Sequence, residues 1–398
     1  MTDSSIIPAL MFHSVGLEKH PWIWSHLSES VASFEEKIKA LKRWGFTGVH
    51  WGDVYGHISG EKKLSGRFVM LTFDDGYLDN WVFAFPILKK YGMKGTIFVT
   101  TDFVDPSPEK RLNLDDVWQG RGAIEDFQPA GFLNWAEMKE MLGSGLIDIQ
   151  SHGKTHTWYF SGSKIIDLHL PAEKSKYPWL FWNEKPERKP YYLTEDQQSF
   201  LPWGYPILEH GKSLDVRRFF PDPEALLEVM GFVDPKKSKD SHQNNTIIEQ
   251  LHDYCHSRFK DNMLPGRFET DDECAARKTE ELEVSKVILE KNLNKKIDYI
   301  CWPGGGYDRE VIELAQKVGY KAWTLGSRDN SKKRNKPGSD PSNLKRIGTS
   351  NNISIKGRGK ASGGSFFQML RILSHQNSIF YSFLLKGYKA LAVGLKFK

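Results

Sequence analysis

The chain has 398 residues, 39% hydrophobic and 26% charged, a composition that fits a globular protein and excludes disordered, collagen-like and coiled-coil classes. Its three cysteines are too few for a disulfide framework and lack zinc-knuckle spacing, which favours a reducing compartment. The net charge of +5 is unevenly distributed, because residues 356–398 carry eight basic side chains and no acidic one. Residues 1–355 therefore have a net charge of −3, which argues against nucleic acid as a partner.

Neither end of the sequence predicts insertion into a membrane. The first basic side chain is Lys19, and Pro8 interrupts the short apolar run at residues 6–12, so the parts of a secretory signal are missing. The charge-free stretch between Arg371 and Lys386 contains polar residues and does not predict a spanning helix. We therefore expect a cytoplasmic protein.

The N-terminal part alternates short apolar runs with helical periodicity, which predicts an α/β fold. Ser33 and Glu36 have the spacing of a capping box at the start of the first helix. The run at 68–73 is continuously apolar and ends in acidic residues, as expected of a buried parallel strand. The predicted strands here are 7–15, 68–73, 96–100 and 147–150, and the predicted helices are 34–44, 80–91 and 134–142.

The C-terminal part resumes this pattern after a long interruption. Residues 157–245 are rich in proline, aromatic and charged residues with little regular period, which predicts a functional insertion in a domain formed by residues 1–355. Residues 356–398 are expected to form a basic amphipathic tail. The remaining predicted strands are 297–302, 321–325 and 344–348, and the remaining helices are 272–292 and 308–318.

Three predicted strands end in residues that can carry chemistry. Asp74 and Asp75 follow one strand, His152 and His156 follow another, and a Pro-Gly-Gly-Gly turn at 303–306 follows a third. The carboxyl ends of parallel strands share one face, so these residues are expected to meet. Each pattern alone is more often structural, as a turn or an unrelated pair, but their joint occurrence favours a metal site.

The residue types of this cluster suit a divalent cation, most simply Zn²⁺. Two imidazoles four residues apart can bind one cation, and a carboxylate completes a three-ligand set with an open position for water. Zinc lowers the pKa of bound water towards 7, and a second carboxylate can accept its proton, which is the chemistry that hydrolyses an amide or ester. The adjacent aspartates should therefore divide into one ligand and one base.

Three segments resemble the polysaccharide deacetylases of carbohydrate esterase family 4, which share the chitooligosaccharide deacetylase homology domain. These segments are 71–77 (LTFDDGY), 151–156 (SHGKTH) and 302–305 (WPGG). The resemblance covers roughly residues 7–156 and 280–349 and implies a distorted, incomplete (β/α) barrel. It also implies that Asp75, His152 and His156 bind the metal, that Asp74 is the catalytic base, and that the backbone N–H of Gly304 helps to hold the oxyanion.

The chain departs from the family pattern at three places. Gly153 stands where the second motif usually has a serine or threonine. Cys301 aligns with the arginine that orients the base, and Arg346 is the nearest substitute. The late Leu-x-x-x-His motif that supplies the general acid is not found, since His375 has the wrong spacing. His13, at the end of the first strand, is placed to reach the mouth of a barrel, although a structural role is equally compatible with its position.

The predicted function is metal-dependent N-deacetylation of an N-acetylated amino sugar. A cytoplasmic address favours a biosynthetic substrate, such as a lipid-linked or nucleotide-linked saccharide of surface polysaccharide assembly. Two alternatives stay open: a hydrolase of non-sugar amides on the same fold, and a glycan-binding protein that has lost turnover.

The insertion and the tail predict two further contacts. Four aromatic residues of the insertion are candidates to stack on the sugar from a cap over the barrel, although packing of the insertion is equally compatible with them. These are Trp179, Trp182, Trp203 and Tyr205. The basic amphipathic tail is expected to dock peripherally on an anionic membrane surface, with an ordinary packed C-terminal helix as the alternative.

Overall fold

The computed structural model describes residues 4–170, 175–233, 241–260, 263–326, 334–355, 358–376 and 378–394. Lys356, Lys396 and Lys398 of the predicted tail, and part of the loop before residue 343, lie outside these ranges. The chain divides into two compact units. The first comprises residues 1–152, 286–305 and 320–398, and the second comprises residues 153–285 and 306–319.

The described residues form the following elements, numbered in chain order. The strands are β1 (Ala9–Phe12), β2 (Ser14–Val15), β3 (Ser28–Glu29), β4 (Phe46–Val49), β5 (Arg67–Phe73), β6 (Gly95–Val99), β7 (Ile147–Ser151), β8 (Trp158–Leu168), β9 (Pro206–Lys212), β10 (Phe219–Pro221), β11 (Gly266–Phe268), β12 (Tyr299–Ile300), β13 (Ala322–Thr324), β14 (Asn343–Leu344), β15 (Arg346–Gly348), β16 (Asn352–Ile355) and β17 (Arg358–Ser362). The helices are α1 (Val31–Arg43), α2 (Trp51–Ser59), α3 (Phe85–Tyr91), α4 (Leu114–Trp118), α5 (Trp135–Gly143), α6 (Trp179–Glu184), α7 (Pro223–Val233), α8 (Ser241–Arg258), α9 (Asp271–Leu293), α10 (Arg309–Val318), α11 (Ser365–His375) and α12 (Ile379–Gly394).

A nine-stranded parallel sheet forms the centre of the first unit. Its order is β14-β13-β12-β7-β6-β5-β1-β15, and β4 pairs with β5 beside this path. The strands at the two ends of the order, β14 and β15, are joined by Lys345 alone. This interrupted ring confirms the predicted α/β fold of the incomplete (β/α) barrel type, and it directs the carboxyl ends of β5, β7 and β12 to one face.

The central strands of the sheet are buried on both faces, and their continuous apolar sequences account for this position. Residues 69–73 of β5 are all buried, because a parallel strand with neighbours on both sides has no solvent face. Trp51 of α2 stacks on Tyr299 with ring centroids 4.8 Å apart and meets the edge of Phe98, and the three rings belong to one buried hydrophobic cluster. The sequence analysis did not predict β4 or α2, whose short apolar runs are separated by a single residue, His50.

The predicted capping box of the first helix was wrong. The helix begins three residues earlier than expected, and Ser30 is its N-cap, accepting a hydrogen bond from the Ser33 backbone N–H. The Ser33 hydroxyl instead donates to Glu29 at 2.6 Å. Both serines have side chains suited to capping, and the ion pair between Glu29 and the buried Lys37 favours the earlier start.

The second unit contains more regular structure than the sequence predicted. Residues 158–168 and 206–212 pair as the long antiparallel strands β8 and β9. The expected alternation of buried and exposed residues is broken by register shifts between Phe160 and Ile165 and between Ile165 and Asp167, which hid this pairing from pattern analysis. Glu269, the residue after β11, forms a buried ion pair with Arg277 of α9, and this pair connects the two elements. Arg277 also donates to the backbone oxygens of Ser213 and Val216.

The C-terminal segment belongs to the first unit and ends in two helices. Helix α11 is strongly buried, and Gln376 after it donates to the backbone of Ile6 at 3.0 Å. Helix α12 packs against α11 through Leu385, Tyr388 and Ala392. Among the described residues, we find no helix whose length and apolar character would let it cross a membrane.

Candidate active site

The two aspartates after β5 have different surroundings. Asp74 is 3% exposed, and its backbone N–H donates to Phe12 of β1 at 3.1 Å. Asp75 has φ +74° and Gly76 has φ +80°, so the chain turns sharply through two left-handed residues. This conformation is costly for a non-glycine residue and is characteristic of functional turns. The turn gives the two carboxylates separate environments, as the division into ligand and base requires.

Arg346 of β15 holds Asp74 in a two-pronged ion pair. The guanidinium donates to the two carboxylate oxygens at 2.6 and 2.9 Å and to Thr72 Oγ1 at 3.2 Å. Burial raises the pKa of Asp74, but the Arg346 guanidinium, with smaller contributions from the His13 and His152 side chains, outweighs burial and holds that pKa below its ordinary value. Asp74 is therefore an oriented, ionised carboxylate. The structure places Arg346 where the sequence analysis expected a substitute for the missing arginine.

Contacts at both ring nitrogens orient the His152 side chain. Its Nδ1 lies 2.8 Å from the backbone oxygen of Cys301, and its Nε2 lies 3.1 Å from Asp75 Oδ1. With Nδ1–H donating to the carbonyl, the neutral ring would present the Nε2 lone pair, as in metal-bound histidines. Burial lowers the pKa of His152, but Cys301 and Asp75 more than compensate and raise it well above its ordinary value. A cation would compete with this proton for Nε2.

Within the part of the chain that the structure describes, two groups of three possible metal ligands have donor atoms within 4.8 Å of one another. One is Asp75, His152 and His156, and the other is Asp74, His152 and Cys301. In the second group, the Arg346 guanidinium contacts both Asp74 oxygens and lies 3.1 Å from the Cys301 sulfur, so a positive charge already occupies that side. The first group offers two nitrogens and an oxygen, the donor set of catalytic zinc sites. The residues thus fit a divalent cation, and Asp75, His152 and His156 are the better set.

His156 ends a tight turn whose backbone is fixed by two buried charged residues. His156 has φ +45°, and Gly153 has φ +77°, which explains why glycine replaces the usual serine or threonine of the second motif. The Thr155 N–H donates to Glu281 at 2.8 Å, and Lys189 donates to the Thr155 carbonyl at 3.1 Å. Glu281 and Lys189 were not among the predicted site residues, because nothing in the sequence pattern links them to this turn.

His13 lies between β1 and β2, close to Asp74. Its Nε2 is 3.7 Å from Asp74 Oδ2, and its backbone oxygen accepts a hydrogen bond from Asn80 at 2.9 Å. Burial lowers the pKa of His13 more than the two aspartates raise it, so the neutral imidazole is favoured. The structure therefore brings His13 close to Asp74, as expected for a residue at this strand end.

The remaining predicted site residues fall into two groups. Gly304 is exposed in the 303–305 turn and has φ +55°, a conformation that suits glycine. Trp179 and Trp182 are 4% and 2% exposed, so their burial favours packing within the second unit over sugar stacking. Trp203 and Tyr205 are half-buried, with Trp203 stacked on His169 at 4.4 Å, and their role as sugar contacts stays a prediction.

Comparison with known proteins gives a family match. The family model described as "Polysaccharide deacetylase" matches residues 61–198 and 236–323, more than half of the chain. The chain is 38% identical over 93 residues to YxkH of Bacillus subtilis (strain 168), which covers 23% of this chain and 31% of that protein. It is 26% identical over 132 residues to the poly-beta-1,6-N-acetyl-D-glucosamine N-deacetylase of Escherichia coli (strain K12), covering 33% of this chain and 18% of that protein.

A solved structure shares the fold over most of the chain. The BpsB deacetylase domain from Bordetella bronchiseptica superposes with a TM-score of 0.51 at 16% identity, covering 87% of this chain and 97% of that domain. At this identity the likeness concerns the fold. The sequence matches to the two curated relatives, in contrast, span less than a third of the length of each.

Proposed function

The chain belongs to the polysaccharide deacetylase family, and on this premise we propose that it is a metal-dependent N-deacetylase of N-acetylated amino sugars. The observation that carries the proposal is the side-by-side placement of an arginine-bound Asp74 and the Asp75, His152 and His156 donor set. An oriented base beside a cation site is what hydrolysis of an unactivated amide needs.

We assign Asp75, His152 and His156 to hold a divalent cation, most simply Zn²⁺, which would supply Lewis-acid polarisation of the acetyl carbonyl and of water. Asp74 accepts the proton of the water as its oxygen bonds to the carbonyl carbon, and Arg346 keeps the carboxylate ionised and oriented. The Gly304 N–H stabilises the negative oxygen of the tetrahedral intermediate. A proton then passes to the sugar nitrogen as the C–N bond breaks, releasing acetate and a free amine.

His13 is our candidate for the proton donor, because it lies 3.7 Å from Asp74 and no late Leu-x-x-x-His motif is present in the sequence. Its lowered pKa favours the neutral ring before reaction. We therefore propose that His13 receives the proton first taken by Asp74 and passes it to the leaving amine, so that no external acid is required.

The proposed substrate is an N-acetylglucosamine-containing glycan or a biosynthetic precursor of a surface polysaccharide. The Escherichia coli relative is named for such a polymer, which supports the sugar class. Trp203 and Tyr205 are the candidate stacking residues. A cytoplasmic location, and with it a lipid-linked or nucleotide-linked carrier, remains part of the proposal.

Acetate release tests the proposal directly. Zinc-loaded protein is incubated with β-1,6- and β-1,4-linked N-acetylglucosamine oligomers, a nucleotide-linked N-acetylhexosamine and a non-sugar N-acetyl amide, with Asp74→Asn as the matched control. Acetate from a saccharide, lost in Asp74→Asn, is the expected result. Release only from the non-sugar amide would identify an amide hydrolase, and saccharide binding without release would identify an inactive glycan-binding protein.

A further inference from the structure

Helix α12 carries an exposed apolar face, which we call the α12 face. It consists of five large side chains that are 88%, 63%, 74%, 36% and 67% exposed, in chain order. They are Ile379, Phe380, Phe383, Leu384 and Leu391. Their spacing places them on one side of the helix. Four of the five lie within residues 379–384, and Leu391 lies about two turns further along the same side. Scattered exposed apolar residues are ordinary, but a cluster of large ones on one side of a helix marks an interaction site.

The opposite side of α12 is already packed, so the α12 face is presented in a fixed orientation. Tyr388 stacks on Phe367 of α11 with ring centroids 5.7 Å apart, and Tyr381 meets the edge of Trp44. Leu385 and Ala392 pack against the same Phe367. The helix therefore has two apolar sides, of which the core uses only one.

The charges around the α12 face identify its partner. Lys386 is exposed at the edge of the face, and Lys389 lies one turn along the helix. No acidic residue occurs anywhere in residues 356–398. If two copies of the chain met symmetrically through this face, the lysines of one copy would lie near the lysines of the other and repel them. Residues 356–398 would provide no carboxylate to neutralise these charges. A negatively charged lipid surface satisfies both the apolar side chains and the lysines.

We propose that the α12 face docks the protein on an anionic bilayer, with α12 lying in the plane of the interface. The aromatic and aliphatic side chains enter the boundary between headgroups and acyl chains, and the lysines contact lipid phosphates. This mode suits a helix that is not long and apolar enough to span. The inference does not depend on the proposed deacetylation, because it uses no residue of the candidate active site.

Vesicle co-sedimentation of the full chain tests the proposal. Phosphatidylcholine vesicles are compared with vesicles containing phosphatidylglycerol, at low and high salt, with a vesicle-free control for aggregation. The test variant is Phe380→Ser/Phe383→Ser. The matched control is Leu227→Ser/Val287→Ser, which removes two exposed apolar side chains from α7 and α9 (66% and 53% exposed). Lys386→Gln/Lys389→Gln probes the charge, and unchanged melting curves verify folding.

We expect the wild type and the control to bind the anionic vesicles, and Phe380→Ser/Phe383→Ser to bind at least about tenfold more weakly, the loss expected for two interfacial rings. The lysine variant should lose the preference for anionic lipid. Absence of binding to anionic vesicles, or equal binding by the serine variant, would overturn the proposal. It would also be overturned if the wild type self-associates in sedimentation velocity and the serine variant does not, since the face would then join two copies.

Discussion

At the residue scale, the exchange between Cys301 and Arg346 explains how the Asp74 carboxylate is held in a fixed orientation. The resemblance predicts an arginine at position 301, but the small thiol there leaves room for a guanidinium that arrives from β15. Cys301 Sγ lies 3.1 Å from Arg346 Nη2, and both Asp74 oxygens accept from the same guanidinium. The function of the missing arginine is thus available from another strand. Sequence alignment could only suggest that Arg346 replaces this arginine, because the contact between Arg346 and Asp74 depends on β15 pairing with β1.

The geometry predicts that Arg346→Lys impairs catalysis without removing the metal. A lysine retains the charge but cannot bind both carboxylate oxygens at once, so Asp74 loses its fixed orientation. We expect kcat to fall by roughly ten- to a hundredfold, less than the two to four orders of magnitude expected for Asp74→Asn. Metal content and KM should stay near wild type. Wild-type kcat in Arg346→Lys would show that the contact is only structural.

The donor set predicts one cation per chain. His152→Ala or His156→Ala leaves two protein ligands, too few to retain zinc at wild-type affinity. Elemental analysis of dialysed protein should therefore give about one equivalent in the wild type and much less in either variant. His20→Ala, a histidine outside the donor set, serves as control. Full metal content in both ligand variants would contradict the assignment and direct attention to the Asp74, His152 and Cys301 group.

At the element scale, the turn from β1 to β2 is held by a buried carboxyl. Asp79 is fully buried and accepts hydrogen bonds from Ser14, Asn80 and the backbone of Val15. Asn80 in turn binds the backbone oxygen of His13. Burial raises the pKa of Asp79 to about 7 despite these bonds, so below about pH 7 the folded protein favours the neutral carboxyl.

This raised pKa predicts a pH-dependent stability. Below about pH 4 the Asp79 carboxyl is protonated in both the folded and the unfolded state. Between about pH 4 and pH 7 the unfolded chain has lost this proton while the folded chain keeps it. The free energy of unfolding therefore falls by about 1.4 kcal/mol per pH unit in this window and levels off above it. Asp79→Asn lacks this loss, so the wild-type melting temperature should fall relative to that of Asp79→Asn across this window. Asp253→Asn, which removes an exposed carboxylate, should follow the wild type. A constant difference between wild type and Asp79→Asn would exclude titration of Asp79.

The elements differ in how far the sequence could predict them. The strand at Arg67–Phe73 was predicted to within one residue because its burial is continuous and its end is acidic. The α1 cap was misplaced because two serines compete for it, and the β8–β9 pairing was missed because its register shifts break the period. The meeting of Asp75 and His152 was predictable because both follow buried parallel strands. Lys189 and Glu281, in contrast, contact only backbone atoms of the 153–156 turn, and such contacts leave no sequence pattern.

At the scale of the whole molecule, the candidate site joins distant parts of the chain. Asp75 and His152 are separated by 77 positions in the sequence, yet their side chains are 3.1 Å apart. The unfolded chain does not hold these donors together, so a cation that binds them binds the folded state selectively. Such binding must raise the free energy of unfolding by an amount set by the metal concentration relative to its Kd.

Chelation should therefore lower the melting temperature of the metal-loaded protein reversibly. At free zinc about a hundredfold above Kd, the stabilisation is about 2.7 kcal/mol, which for a chain of this size corresponds to a shift of roughly 3 °C. Scanning calorimetry before and after removal of zinc measures the shift, and adding zinc back should restore it. His156→Ala separates this effect from general action of the chelator, since its melting temperature should be independent of zinc. An equal shift in wild type and His156→Ala would mean that zinc stabilises the chain through other groups, and the assignment of His156 as a ligand would fail.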